Sequence, residues 1–389
     1  MIKTAYKILQ QKPLTLLILL CLMLTACTPT WDLTLTDAEN TSHILTYATW
    51  ETLQSLAGTE DAVPLEYLLY QYNYTVLAHV HIRDTNEALH SFEWPDVAAD
   101  AWWLSDGTLR IGDEQIKAVE ITGEPAPLPA PLTATLMDIA PTTAHALGLP
   151  ILEQATGHPL TNTKASHVTL IFLDGFGYLR WLTSLDAGLV PHLATLNSPH
   201  MGLSVFPPST AVASAAMLTG APPQINGATI RGTRTTDSES MFDIAQAAGL
   251  HVTAIEGDAL AFNLRAADIT LSGDRDGNGS TDDNVLNNAL SAIQSGMPDL
   301  LWVHFHGIDD AGHTYGPDAA ETQAKIVEVD AAVGTLLAAL PPDTLVLIFA
   351  DHGMHAVIEE ERRGNHGNLI AEDMLIPVWM QFIETLPNF

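Results

Sequence analysis

The chain has 389 residues, with 46 acidic against 15 basic, for a formal net charge of -31; 47% of its residues are apolar. That content is too hydrophobic for a disordered chain and fits one large domain plus a small one, while the acid excess excludes nucleic-acid binding by a basic surface. Two cysteines exclude a disulfide scaffold and a cysteine-based zinc site, so any metal must be held by Asp, Glu and the 16 His.

The N-terminus reads as an address. Lys3, Lys7 and Lys12 precede the apolar run Leu14–Leu24. The run is too short to span a bilayer, which takes about 20 residues, and suits a secretory segment. Leu24-Thr25-Ala26-Cys27 follows and resembles the lipobox of bacterial lipoproteins. The resemblance implies a signal peptide over 1–26 and lipidation of Cys27. The mature protein is then expected to be exported and held by its N-terminal lipid to the membrane of the cell envelope, on the outer face of the cytoplasmic membrane or the periplasmic side. An ordinary signal peptide with an incidental cysteine is the alternative.

Residues 27–122 read as a small β-rich α+β domain of unknown role. Leu77–Arg83, Thr108–Ile111 and Ile116–Ile121 alternate as strands do. Leu65–Tyr72 suggests a helix, and Trp94, Trp102 and Trp103 supply core volume. The stretch 123–132, with four prolines, reads as a semi-rigid linker.

From 133 to 389 the pattern becomes α/β. His167–Leu173, His251–Ile255, Leu300–Phe305 and Thr344–Ala350 are continuous apolar runs, as expected of strands buried on both faces. Helical stripes separate them: Met241, Phe242, Ala245 and Ala248; then Val285, Leu286, Ala289, Leu290 and Ile293; then Ile326 through Leu340. The pattern predicts an α/β sandwich with a mostly parallel central sheet, whose ligands sit at the carboxyl ends of its strands.

Polar residues gather at those ends. Asp174-Gly175 ends the first strand. Asp309 and His313 follow the strand at 300–305, Asp351-His352-Gly353 ends the strand at 344–350, and His366 lies in the loop beyond. One Asp after a strand is ordinarily a turn or cap. Three strand ends delivering Asp, two with His behind, suit Zn²⁺ or Mn²⁺. Between them, Phe206-Pro-Pro-Ser-Thr leads into a small-residue helix ending near Gly220. A hydroxyl there is either a plain N-cap or part of an anion site at a helix N-terminus.

These five elements, in this order, resemble the alkaline phosphatase superfamily, and most closely its type I phosphodiesterase/nucleotide pyrophosphatase branch. The resemblance covers about 133–389. It implies two divalent metal ions, zinc or manganese: one on Asp174, Thr210, Asp351 and His352, the other on Asp309, His313 and His366. It implies Thr210 as nucleophile, a phospho-threonine intermediate, and a phosphate ester or nucleotide-type substrate. Where the branch commonly has an Asn contacting the phosphoryl group, this chain has Arg231. That residue is either a bidentate phosphate ligand, which would suit a monoester at least as well as a diester, or a surface arginine. Residues 209–213, Ser-Thr-Ala-Val-Ala, lack the sulfatase pattern. The expected activity is therefore phosphodiesterase or nucleotide pyrophosphatase, with phosphomonoesterase, or a non-catalytic metal-binding lipoprotein, as alternatives. Met137–Pro150, running on to Leu160, resembles a segment that in the superfamily follows the last metal ligand; here it precedes the first. This suggests a permuted chain order, with the 137–148 helix beside the C-terminal strand.

Asp274, Asp276, Asn278, Ser280 and Asp282 match the odd positions of an EF-hand loop, but Val285 stands where the bidentate Glu belongs. A calcium site and an acidic turn are both open. His304 and His306 share a strand face and read as satisfied core histidines, with support of the metals the alternative. Glu256 and Asp258 follow a strand and are candidates to line the cleft. No ligand of the family maps to His355.

Overall fold

The computed structural model describes residues 30–358 and 361–384. The basic segment, the apolar run and Cys27 lie outside the described residues. Among those described, no helix is long and apolar enough to cross a membrane.

The N-terminal unit is an eight-stranded sheet organised around the long strand Glu114–Pro125. That strand pairs in parallel with Leu33–Thr36, and antiparallel with Leu77–Asp84 and Thr108–Ile111. Leu77, Val80 and Ile82 turn to the core while the residues between them stay half-buried, the alternation of a one-sided sheet. Trp94 and Trp103 are fully buried, and the Trp50 indole donates to the Trp103 carbonyl at 2.8 Å. The helices Tyr47–Ala57 and Leu65–Gln71 belong to the same unit. Residues 123–125 extend its central strand rather than starting the linker. The strand ends at Pro125, with one further bond from the Ala126 N–H to the Val76 carbonyl, so the connection is 126–131 and Leu132–Thr135 opens the next sheet.

The second sheet also has eight strands. Asp268–Leu271, Val252–Glu256, Leu300–Phe305, His167–Leu173 and Thr344–Phe349 lie side by side and parallel. The three central ones are buried along almost their whole length, as their unbroken apolar runs require. Leu375–Ile383 then joins antiparallel, followed by His200–Leu203 and the edge strand Leu132–Thr135. One antiparallel strand in eight bears out the mostly parallel expectation. The 132–135 strand thus enters the sheet one strand away from the C-terminal strand, and the helix Ile139–Ala146 behind it packs on Thr210–Thr219 and Met241–Ala247.

The expected helices are Met241–Ala247, Asp282–Ser295 and Ala320–Ala339. Thr210–Thr219 is buried from Ala211 onward and ends at Gly220, with φ 67°, a left-handed cap that glycine adopts without a Cβ penalty. Its alanines let it sit deep in the molecule and bring Thr210, its first residue, to the carboxyl edge of the parallel strands.

Candidate active site

Three adjacent strands end together and deliver the acids. Asp174 follows Leu173, Asp351 follows the strand ending at Phe349, and Asp309 lies in the first turn of the helix Gly307–Tyr315. Gly175, with φ +71°, makes the close approach possible: a Cβ there would lie 2.9 Å from Asp309 Oδ1. Gly353 does the same behind His352, where a Cβ would meet the Glu372 carbonyl.

The first expected ligand set comes together. His352 Nε2 lies 3.1 Å from Asp351 Oδ2, 3.5 Å from Asp174 Oδ1 and 3.4 Å from Thr210 Oγ1. Thr210 Oγ1 is 3.5 Å from Asp174 Oδ1. The second set does too: His313 Nε2 is 3.2 Å from Asp309 Oδ2, and His366 Nε2 is 3.8 Å from Asp309 Oδ1. The sets adjoin, with the His352 and His366 rings stacked at 3.6 Å.

Each histidine is turned the same way. Nδ1 donates to a main-chain carbonyl: His352 to Gly353 at 2.9 Å, His313 to Gly364 at 2.8 Å, His366 to Pro208 at 2.8 Å. Those bonds fix the tautomer and leave every Nε2 as a lone pair facing the carboxylates, the outer support typical of metal-binding imidazoles. Asp351 Oδ2 and Asp309 Oδ1 are buried without a hydrogen-bond partner, although imidazole nitrogens stand within 4 Å. Acceptor facing acceptor at 3.1 Å between His352 and Asp351 calls for a cation between them. A tetrahedral zinc with bonds near 2.0–2.1 Å sets its ligands about 3.3–3.4 Å apart, and the first set spans 3.1–3.5 Å. Asp309, His313 and His366, and likewise Asp174, Asp309 and His352, bring ligand atoms within 4.8 Å of one another, so the residues fit a divalent cation.

The electrostatics agree. Burial, and then the charges of Asp351 and Asp309, push Asp174 well above the usual carboxylate range. Burial would also raise Asp309, but the neighbouring imidazoles of His313, His352 and His366 outweigh it and hold Asp309 low. Burial alone would lower His352; Asp351, Asp174 and Asp309 raise it instead. Burial, then His352, drive His366 down to about 2. Three carboxylates crowded together need positive charge.

Arg231 is exposed, and it stands at the mouth of the site. Its Nη2 donates to His366 Nε2 at 2.7 Å, and partial burial lowers its pKa. With Asp174, Thr210, Arg234, Asp258 and His306 it lines a cleft of about 300 Å³. The lining bears out Asp258 as a cleft residue. Glu256 lies behind the wall, almost fully buried.

The 274–282 loop is held by its own groups. Asp274 accepts from the backbone N–H of Gly277, Asn278 and Gly279, and Asp276 from that of Asn278. Ser280 Oγ takes a bond from Lys325. Asp282 turns inward and accepts from the N–H groups of His306 and Gly307 at 3.0 and 3.1 Å. The ninth loop position is thus committed to the start of the Gly307–Tyr315 helix.

The N-terminal unit reaches the site in a way no motif announced. Leu369, three residues after His366, has both backbone groups held by that unit. Its N–H donates to Glu66 Oε1 at 2.6 Å, and its carbonyl accepts from the Trp94 indole at 2.9 Å. Tyr70 packs on Phe206, four residues before Thr210, with ring centroids 5.4 Å apart. From the other side His355 pairs with Asp373 at 2.8 Å, and Asp373 accepts from Asn368.

The family model described as type I phosphodiesterase/nucleotide pyrophosphatase matches residues 258–387. The motif-based resemblance is borne out over that stretch, which carries Asp309, His313, Asp351, His352 and His366. Similar curated proteins include the human GPI ethanolamine phosphate transferase 3 catalytic subunit, 33% identical over 88 residues (23% of this chain, 8% of that protein). The Saccharomyces cerevisiae GPI ethanolamine phosphate transferase 3 is 39% identical over 69 residues (18% and 6%). The matched stretch therefore spans less than a tenth of these relatives' own length. Among solved structures, human ectonucleotide pyrophosphatase/phosphodiesterase 5 aligns over 56% of this chain and 88% of its own, at 14% identity and a TM-score of 0.44. Phosphonoacetate hydrolase from Sinorhizobium meliloti 1021, in complex with phosphonoacetate, aligns over 50% and 58%, at 16% identity and a TM-score of 0.40.

Proposed function

We propose that this chain hydrolyses phosphoric esters, with Thr210 as nucleophile and Asp174, Asp351, His352, Asp309, His313 and His366 holding two divalent cations. One observation carries the reading: three imidazoles, each fixed through Nδ1 by a main-chain carbonyl, turn Nε2 toward buried carboxylates, His352 toward Asp174 and Asp351 and beside the Thr210 hydroxyl, His313 and His366 toward Asp309. When bound, the cations would supply Lewis acidity to the threonine hydroxyl and to the phosphoryl oxygens.

The residues do the rest. Thr210, at the first position of a buried helix, points its oxygen across the cleft where the helix N-terminus favours an anion. Attack by Thr210 Oγ1 on phosphorus forms a Thr–O–P bond and releases the alcohol or nucleotide leaving group; water then frees phosphate or a phosphomonoester and restores the hydroxyl. Arg231 would bind phosphoryl oxygens beside His366, a role its place in the cleft lining supports. The family match favours a diester or nucleotide-type substrate. Arg231 favours a second reading, a phosphomonoester, because a guanidinium pairs best with a doubly charged phosphate. Transfer to an alcohol instead of water would use the same Thr210 step, and the names of the transferase relatives support keeping it in view. The apolar run and Leu24–Cys27 support export and attachment to the cell envelope through a lipid on Cys27.

The test compares bis-p-nitrophenyl phosphate with p-nitrophenyl phosphate, for wild type and Thr210→Ala, with Zn²⁺ or Mn²⁺ and with chelator. Thr210→Ala is expected to lose at least about 10³-fold in kcat, as loss of a catalytic nucleophile does. A wild type inactive on both esters with either metal supplied refutes the proposal. A faster monoester rate transfers it to the second reading.

A further inference from the structure

Two segments without helix or strand line the cleft beside Thr210. One runs from 227 to 240, between the helices Pro223–Asn226 and Met241–Ala247, and gives the cleft Arg231 and Arg234. The other runs from 257 to 267, between the strands Val252–Glu256 and Asp268–Leu271, and gives it Asp258 through Ala261. Both arginines are exposed. A long side chain on an irregular segment has no fixed place unless something holds its backbone.

The two segments are sewn together. The Asn263 N–H donates to the Arg234 carbonyl at 2.8 Å, and Arg234 Nη1 donates to the Ala261 carbonyl at 2.7 Å. Phe262 and Leu264, on either side of Asn263, are buried and anchor the second segment in the core. Arg265 follows. Its Nη1 donates to the Thr236 carbonyl at 2.6 Å and its Nη2 to the Ser238 carbonyl at 2.7 Å. Nε and Nη2 also grip the Asp243 carboxylate, at 3.0 and 2.9 Å. Every nitrogen of the guanidinium is engaged. Asp243 is itself set, since it accepts from the Ser240 N–H and hydroxyl, both at 2.8 Å, as the third residue of a capping box. Burial would raise Asp243, but the bonds from Arg265 and Ser240 hold it below the ordinary carboxylate value. A lone exposed ion pair contributes little; this one is bidentate and adds two carbonyls. Ala266, the next residue, has φ 67°. That left-handed region is unfavourable for a residue with a Cβ, so the chain keeps a costly turn just beside the guanidinium that clasps the first segment.

We propose that Arg265 is a positioning residue for the substrate: it joins the two segments into one wall and so holds Arg231 and Arg234 where phosphoryl oxygens arrive. The inference rests on the cleft being the ester site. Arg265 and Asp243 stand outside the cleft lining and act through the residues they hold. Thr210, Asp174, Asp309 and Asp351 are carried by other elements. Arg265 therefore governs how tightly the anion is held and leaves the Thr210 step alone. Lysine cannot replace it, because one ammonium does not reach a carboxylate and two carbonyls with the geometry of a planar fork.

The experiment measures anion binding and turnover in the same variants. Calorimetric titration of the zinc-loaded protein with inorganic phosphate gives Kd, turnover of p-nitrophenyl phosphate gives KM and kcat, and hydrogen exchange reports the Asn263 amide in the seam. Arg265→Ala is expected to raise Kd and KM about 10-fold, the low end of what loss of a charge-assisted bond does. Its kcat is expected to stay within about twofold of wild type, and its Asn263 amide to exchange faster. Arg265→Lys keeps the charge and the stem, so it folds if the alanine variant does not, and is expected to recover no more than about threefold of the loss. In a protein already carrying Arg231→Ala and Arg234→Ala, Arg265→Ala is expected to change Kd by less than about twofold, because the residues it acts through are gone. A merely structural residue would change binding by the same factor in both backgrounds. That equal change, an unaltered Kd in Arg265→Ala, or full recovery by Arg265→Lys overturns the proposal. A wild type that shows the expected phosphate dependence on Arg265 but hydrolyses neither ester overturns the ester reading and leaves the wall standing. A wild type that binds no phosphate overturns both.

Discussion

Replacing Trp94 by Phe should loosen the loop that carries His366. The indole is fully buried and donates to the Leu369 carbonyl at 2.9 Å. Phenylalanine keeps most of the ring but has no donor. A buried acceptor left without its partner costs about 1–3 kcal/mol, and the lost ring area adds about 1 kcal/mol. The total, about 2–4 kcal/mol, is a large share of the roughly 5–15 kcal/mol that holds a typical domain folded. The change should appear twice: as a lower urea midpoint, followed by circular dichroism, and as weaker zinc binding at the site containing His366, followed by calorimetric titration. The second readout matters because Trp94 touches no proposed ligand and acts only through Leu369. A Trp94→Phe protein within about 0.5 kcal/mol of wild type, with unchanged zinc affinity, would refute the claim that the small unit positions this loop.

Three further outcomes are expected. Glu66 lies buried against Leu369, and burial, countered by the Leu369 N–H and reinforced by the charge of Asp373, raises its pKa well above the ordinary value. A raised carboxyl pKa costs stability as pH climbs from the unfolded value toward the folded one, and the loss persists above it; Glu66→Gln should therefore melt higher than wild type near pH 8, with the gap closing near pH 4, and a gap that widens on acidification contradicts this. Arg231→Ala should lower kcat/KM for p-nitrophenyl phosphate roughly 10–100-fold, the worth of a charge-assisted bond, and for bis-p-nitrophenyl phosphate by less; an equal or larger loss on the diester removes Arg231 as the monoester determinant. His366→Ala should bind one metal equivalent fewer than wild type and gain less in melting temperature on zinc addition, and an unchanged metal count excludes it as a ligand.

The acids that meet at the strand ends were readable because each follows a strand that betrays itself by an unbroken apolar run. Asp174, Asp309 and Asp351 sit just past such runs, and the parallel sheet does the assembly. What the sequence hid depends on register and on distant contacts. His304 and His306 look like core residues until Val252–Glu256 pairs beside Leu300–Phe305 with Ile255 opposite Val303, which sets Glu256 against them. Asp282 matches a loop position in sequence, yet its carboxylate is drawn in by two helix-start N–H groups 24 and 25 residues away. His355 maps to no ligand and instead braces Asp373. The bonds from Trp94 and Glu66 to Leu369 cross 275 and 303 residues, and no periodicity reports such a pairing.

The clasp on Leu369 bears on how the polypeptide can be divided. A cut engineered into the stretch 126–131 would break the covalent thread while the Trp94 and Tyr70 contacts continue to hold the halves together. The nicked molecule should elute as one particle and separate only in denaturant. Residues 133–389 expressed alone would instead expose a hollow the size of an indole and an unshared peptide beside His366. The small unit is thus part of the support beneath the loop that carries His366.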